Sequence, residues 1–135
     1  MARRLALDTG VLIALERGLP ITGKLITSDD DLAVPLIAMA EYQAGVRYAT
    51  PEHRPRMQSF LDALLQRVDL LPYDETAMKA HVDLLVWTKQ HGVARGPYDL
   101  IIAATAAATG RTLVTLDKRA HFDELPGVTA IALLP

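Results

Sequence analysis

Four acidic residues stand at the ends of apolar runs or inside them: Asp8, Glu41, Asp99 and Asp117. Asp8 closes Leu5-Ala6-Leu7 and precedes Thr9-Gly10. Glu41 sits within Leu36-Ile37-Ala38-Met39-Ala40-Glu41-Tyr42. Asp99 opens Asp99-Leu100-Ile101-Ile102-Ala103-Ala104, and Asp117 closes Leu113-Val114-Thr115-Leu116. A carboxylate among apolar residues is costly to bury unless its charge is compensated. One such site is ordinary; four in one chain point to a shared cation. Clustered like charges disfavour one another's ionisation. A hard divalent cation removes that conflict, because Mg2+ takes oxygen ligands while keeping several waters and Mn2+ accepts the same donors. Such an ion polarises a phosphate oxygen, acidifies an attacking water and neutralises a leaving oxygen. Phosphodiester hydrolysis is the chemistry this set best explains.

Each acid also has a plain structural reading. Asp99 could favour a helix macrodipole, and Asp117 could cap a short helix from Lys118 to Leu125. Glu41 could be a solvated helix residue. Asp8 has no obvious partner at the end of its strand. Thr9 and Thr115 carry hydroxyls that could hold a metal-bound water, though capping explains Thr9 equally well. Thr115 and Asp117, two apart, share a strand face. Elsewhere Asp29-Asp30-Asp31 reads as a solvated loop and Asp74 as an N-cap. Asp62, Asp69, Asp83 and Glu124 read as surface. His53, His81, His91 and His121 lack metal-ligand spacing, and Gly92 and Gly96 lack a phosphate-cradling context.

These residues must be positioned by elements that alternate in type. Leu5 to Leu7 is a predicted strand, followed by a helix capped by Thr9 and stopped at Gly18. Pro20 to Asp31 reads as a polar loop or short helical piece. Leu32 to Leu36 is a second strand, weakened by Pro35. Helices follow over Ala38 to Ala49 and from Pro51-Glu52-His53-Arg54-Pro55 onward, the latter carrying Met57, Phe60, Leu61, Leu64 and Leu65 at helical spacing. Val68 to Leu71 is a strand. Asp74 caps a helix that Gly92 ends, with Ala77, Ala80, Leu84 and Trp87 on one face. Pro97 opens an Ala-rich helix to Gly110. Leu113 to Leu116 and Thr129 to Leu134 complete the strands. The alternation predicts an α/β fold with a mostly parallel sheet, whose ligands bind beyond the carboxyl ends of the strands. Asp99 fits this less simply than the others, because it follows a loop and not a strand.

Composition narrows the options. The chain has 135 residues, one domain over 1–135, and half of them are hydrophobic. There is no cysteine, which removes thiolate catalysis, disulfides and thiolate metal sites. The formal charge of −2 means that nucleic-acid binding would need a local basic patch. Arg95, Lys118 and Arg119 flank the acidic motifs and could supply phosphate contacts, with solvated surface as the alternative. Met1-Ala2-Arg3-Arg4 resembles a signal-peptide start, but Asp8 interrupts it, and Leu100 to Ala108 is too short to span a bilayer. The expected location is the cytoplasm.

Leu7-Asp8-Thr9, Ala40-Glu41-Tyr42-Gln43-Ala44-Gly45, Gly96-Pro97-Tyr98-Asp99-Leu100-Ile101-Ile102-Ala103-Ala104 and Val114-Thr115-Leu116-Asp117 resemble the successive motifs of PIN-domain ribonucleases. The VapC-type toxins of type II toxin–antitoxin pairs are the most similar group. The resemblance implies a PIN-like fold, with a five-stranded parallel sheet flanked by helices. It implies Mg2+ or Mn2+ at an acidic pocket, endonucleolytic cleavage of RNA, a cognate antitoxin and a homodimer within the toxin–antitoxin complex. It carries Asp8, Glu41, Asp99 and Asp117 over as catalytic and metal-binding residues, with Thr115 at a frequent hydroxyl position. Tyr98, where relatives often hold a small polar residue, and Pro35 depart from the pattern. Two rivals stand beside it. A catalytically silent PIN-like interaction module would keep the fold alone. A receiver-like phospho-acceptor domain would want an acidic pair after the first strand and an acceptor Asp after the third, whereas Val68 to Leu71 ends in Pro72-Tyr73.

Overall fold

The computed structural model describes residues 2–19, 27–116 and 121–132. Asp117, Lys118 and Arg119 lie outside the described residues, as do positions 20–26 and the last three residues. The described elements are β1 (Arg4–Leu7), α1 (Thr9–Glu16), β2 (Asp31–Pro35), α2 (Leu36–Tyr48), α3 (Arg54–Arg67), β3 (Asp69–Leu71), α4 (Glu75–His91), α5 (Pro97–Ala108), β4 (Thr112–Thr115), a 3-10 turn over Phe122–Glu124, and β5 (Ala130–Ala132).

The five strands form one parallel sheet in the order β3-β2-β1-β4-β5. β1 lies at its centre, with Leu7 in register with Val114 and Ala6 with Ala33. Strands covered on both faces read as continuous apolar runs. Leu5, Ala6, Leu7, Leu113 and Val114 are all buried in that way. The chain winds outward one way through β2 and β3, then returns to the other side of β1 through β4 and β5. The direction therefore reverses between β1 and β4, and the crevice that a doubly wound sheet offers to a ligand lies there.

Each helix packs by a local pattern. α2 buries Ala38, Met39, Tyr42 and Val46, and α3 buries Leu61 and Leu64, with Met57 and Phe60 partly covered and Leu65 left outside. α4 is capped as expected, the Asp74 carboxylate accepting from the Ala77 N–H at 2.9 Å, and it ends at Gly92 with φ at 66°. That left-handed geometry suits glycine. Among the described residues, no helix is long and apolar enough to cross a membrane.

Two expectations are corrected at the ends of the strands. Asp30, at the amino edge of the sheet, is not solvated but 4% exposed. It accepts from Arg3 Nε at 2.9 Å, Arg3 Nη2 at 2.7 Å and the Thr27 N–H at 2.7 Å. Asp31 opens β2 and pairs with the buried Arg111, whose Nη1 also donates to the Leu5 and Asp31 carbonyls. These guanidiniums tie β1, β2 and the start of β4 together. The other correction is one residue wide: Asp8, not Thr9, caps α1.

Candidate active site

The carboxyl edge of the sheet is built differently. Asp8 leaves β1 with its N–H donating to the Val114 carbonyl at 3.2 Å, which anchors it to β4. Its Oδ1 accepts from the Val11 N–H at 3.0 Å. The residue expected to lack a partner thus has one in the first turn of α1, and its charge sits at a helix N-terminus that favours an anion.

Glu41 comes from α2. That helix starts directly after β2, with Pro35 as its N-cap, so it rises from the same edge. Glu41 lies in its second turn, half-buried, and Oε1 accepts a hydrogen bond from Thr9 Oγ1 at 2.9 Å. Thr9 therefore orients the neighbouring acid. Tyr42, the next residue, points the other way into the core beside Phe60, with ring centroids 5.8 Å apart. Burial first, and then the charge of Glu16, push its hydroxyl up to about 12. Tyr42 stays protonated and belongs to the packing.

Asp99 is the third residue of α5, after Gly96 as N-cap and Pro97. The loop that precedes it proves immaterial. α5 runs antiparallel to β4, the strand it feeds, so its N-terminus arrives at the carboxyl edge. Gly96 has a specific reason to be glycine: a Cβ there would stand 2.9 Å from Asp99 Oδ2. A side chain at this position would displace the carboxylate.

Asp8, Thr9, Gly10, Glu41, Asp99, Ile102 and Leu116 line one cavity of about 500 Å3. Three of the four acids singled out in the sequence thus converge from separate segments of the chain; the fourth, Asp117, lies outside the described residues. Among the described lining residues none is basic. The donors are carboxylates and a hydroxyl, all hard oxygen. Among the described residues no three of these groups stand close enough to hold a metal by themselves. A cation that keeps most of its waters needs only one or two direct carboxylates, so the donor set is chemically suited to such an ion.

The other sequence-derived site residues separate. Thr115 is buried at the end of β4. Lys118 and Arg119 lie outside the described residues. The side chain of Arg95 is 2% exposed, stacked over Trp87 at 5.4 Å, 3.6 Å from Glu124 and donating to the His121 carbonyl at 3.3 Å. Its guanidinium pins the 3-10 turn to α4 and is not presented to a phosphate backbone. A second cavity, of about 470 Å3, shares Thr9 and Glu41 with the first and is bordered by Arg17, Tyr48, His53 and Arg56. Sequence reasoning passed over Arg17, Tyr48 and Arg56 as site residues and set His53 aside for want of metal-ligand spacing. They lie on three different elements, and no local pattern links them.

A family model described as PIN domain matches residues 5–128. The chain is similar to Ribonuclease VapC5 of Mycobacterium tuberculosis, 30% identical over 129 residues that cover 95% of this chain and 92% of that protein. It is also similar to Ribonuclease VapC2 of Rickettsia felis, 30% identical over 105 residues that cover 78% and 76%. Among solved structures, the crystal structure of VapBC2 from Rickettsia felis bound to a promoter DNA fragment matches with a TM-score of 0.83 at 25% identity, covering 96% of this chain and 98% of that one. VapBC-5 from Mycobacterium tuberculosis, described as a member of the VapBC family of toxin–antitoxin systems, matches at 0.81 with 27% identity and the same coverage.

Proposed function

The chain belongs to the PIN-domain family and, within it, to the VapC ribonucleases, and from that premise we propose that it is a divalent-metal-dependent endoribonuclease, the toxin of a toxin–antitoxin pair. One observation carries the reading: a single cavity at the switch point of the sheet gathers Asp8, Glu41 and Asp99 from three separate segments. The substrate is RNA, the partner a cognate antitoxin, and the place of action the cytoplasm.

Asp8 and Asp99 would hold the cation, directly or through water, with Asp117 as the further ligand. Mg2+ or Mn2+ bound there supplies a Lewis acid for the phosphate and charge neutralisation for the leaving oxygen. Glu41 has the role of base. Its Oε1 is fixed by the Thr9 hydroxyl, which leaves the other carboxylate oxygen to orient the attacking water and take its proton. The water oxygen forms a bond to phosphorus, the ester P–O bond breaks, and the leaving oxygen takes a proton from solvent water. Asp8 and Asp99 each sit in the first turn of a helix or just before it, and both helix ends offset part of the repulsion among the acids. Arg17 and Arg56 line the second cavity, which shares Thr9 and Glu41 with the first; they would grip the RNA backbone on one side of the scissile bond, Arg56 exchanging its exposed contact with Glu16 for a phosphate.

The test is cleavage of labelled RNA with Mg2+, with Mn2+ and with chelator. Wild type should cut only with metal, and Asp8→Asn should not cut under any condition. A folded wild-type chain that binds its antitoxin yet leaves RNA intact with either metal would establish the silent interaction module instead.

A further inference from the structure

The second cavity, of about 470 Å3, adjoins the first at Thr9 and Glu41 and has the size of a small-ligand pocket. Two of its lining residues are placed against local rules. Glu16 is the last residue of α1, the end of a helix that disfavours an acid, and its side chain is only 11% exposed. Its cation, Arg56, is 66% exposed; Nε stands 3.4 Å from Glu16 Oε1, and Nη2 donates to the Glu16 carbonyl at 3.2 Å. A pair whose cation is that open adds little to stability, so packing alone does not account for a carboxylate here. Tyr48, at the end of α2, is the reverse case, a large ring left 88% exposed.

The neighbouring cavity says what these residues meet. Glu41 belongs to both cavities, so RNA whose scissile phosphate lies over the acids brings an adjoining nucleotide to the second one. Unpaired bases are held by stacking on aromatic rings and by hydrogen bonds along their Watson–Crick edge. Tyr48 supplies a ring. The Glu16 carboxylate supplies two acceptors and no donor. Guanine is the base that presents two adjacent donors on that edge, N1–H and the N2 amine. Adenine, cytosine and uracil set an acceptor beside their donor, and a carboxylate repels it. When Arg56 turns to a phosphate, the Glu16 carboxylate is released to the base.

Taking the chain as a ribonuclease, the reading on which this inference rests, we propose that the second cavity is a guanine subsite: the base next to the cut stacks on Tyr48 and donates N1–H and N2–H to Glu16, while Arg17 and Arg56 hold the adjoining phosphates.

Binding is read on the Asp8→Asn chain in Mg2+, by fluorescence anisotropy of end-labelled UUGUU, UUAUU, UUCUU, UUUUU and UUIUU, where I is inosine, a guanine without its N2 amine. UUGUU should bind most tightly, and about ten-fold better than UUIUU, the worth of one hydrogen bond to a charged group. That comparison needs no change in the second cavity. Adding Glu16→Gln should reverse the order, because an amide offers one donor and one acceptor, and UUAUU and UUCUU should then overtake UUGUU. Tyr48→Ala should weaken all of these RNAs by about ten-fold and Tyr48→Phe should leave them unchanged, since stacking tolerates any base. All variants should keep the wild-type circular dichroism. The wild-type chain should cut UUGUU beside the guanine. Guanine preference in binding without cleavage by the wild-type chain would remove the nuclease chemistry and keep the subsite. Equal affinity for these RNAs, or a guanine preference that survives Glu16→Gln, overturns the proposal. So does a Glu16→Gln chain that loses affinity for its antitoxin alone, which would make the cavity a seat for protein.

Discussion

At the scale of single residues, the two edges of the sheet treat carboxylates in opposite ways. At the amino ends Asp30 and Asp31 are joined to guanidiniums of Arg3 and Arg111; at the carboxyl ends Asp8, Glu41 and Asp99 face one cavity with no basic lining residue among those described. This contrast yields two predictions. Asp8→Asn and Asp99→Asn should abolish RNA cleavage while circular dichroism and melting stay near wild type, because each removes a carboxylate charge from the cavity and almost no volume. Asp74→Asn should keep activity, and asparagine caps α4 about as well as aspartate, within about 0.5 kcal/mol. Equal loss from Asp74→Asn and Asp99→Asn would contradict the site. The second concerns acid. The hydrogen-bonded Arg3 guanidinium holds the Asp30 carboxyl at about 2, below its ordinary 3.8. The folded chain thus binds that proton less readily than the unfolded one. Its contribution to stability is complete above about pH 4 and is lost as pH falls toward about 2. Asp30→Asn should melt below wild type at neutral pH, with the gap closing in denaturant titrations through that acid range.

At the scale of elements, the site depends on how α1, α2 and α5 begin. α1 and α2 follow their strands almost without a loop, so their first turns are fixed at the sheet edge. α5 reaches the same edge because it runs back along the sheet before β4. Its start has two tailored features: Pro97 presets the first turn, and Gly96 leaves room for the Asp99 carboxylate. Gly96→Ala tests this. The backbone there, with φ at −59° and ψ at 138°, accepts alanine, so the stability loss should stay near about 1 kcal/mol, the cost of a poorer cap. The methyl group would displace the Asp99 Oδ2, so kcat should fall far more than melting does. Matched losses in kcat and stability would show that Gly96 serves the helix alone. Thr9→Val should lower kcat by about ten-fold, the worth of a hydrogen bond to a charged group, and Thr9→Ser should restore it.

At the scale of the whole molecule, the proposed function ties metal, substrate and partner to one cavity. Metal that binds only the folded chain raises its melting temperature by mass action; at ten times the Kd the gain is about 1.4 kcal/mol. Millimolar Mn2+ should therefore shift the melting of wild type and not of Asp99→Asn, and an unchanged wild-type melt would remove the metal site. The same acidic cavity suggests how an antitoxin would silence the chain, by offering Arg or Lys to the carboxylates. Expression of the chain alone should arrest growth, co-expression of its cognate antitoxin should relieve the arrest, and Asp8→Asn should be harmless by itself. Toxicity of Asp8→Asn equal to that of wild type would place the arrest outside this site.

Much of this molecule is legible in its amino-acid sequence because it is written in short spans. Apolar runs ending in Asp8 and beginning at Asp99, the Asp74 cap and the Gly92 stop depend on neighbours within a turn or a strand, and local chemistry decides them. The order of the motifs then carries the family. What the sequence leaves undetermined depends on distance. Asp29-Asp30-Asp31 looks solvated until Arg3 and Arg111, 27 residues before Asp30 and 80 residues after Asp31, reach it. Arg95 looks like a phosphate contact until packing lays it on Trp87 beneath the 3-10 turn. Arg17, Tyr48 and His53 share a cavity only because α1, α2 and the start of α3 meet. A charged side chain takes its role from whichever opposite charge, ring or carbonyl the fold brings within a few ångströms. No residue carries that information in its own stretch of chain.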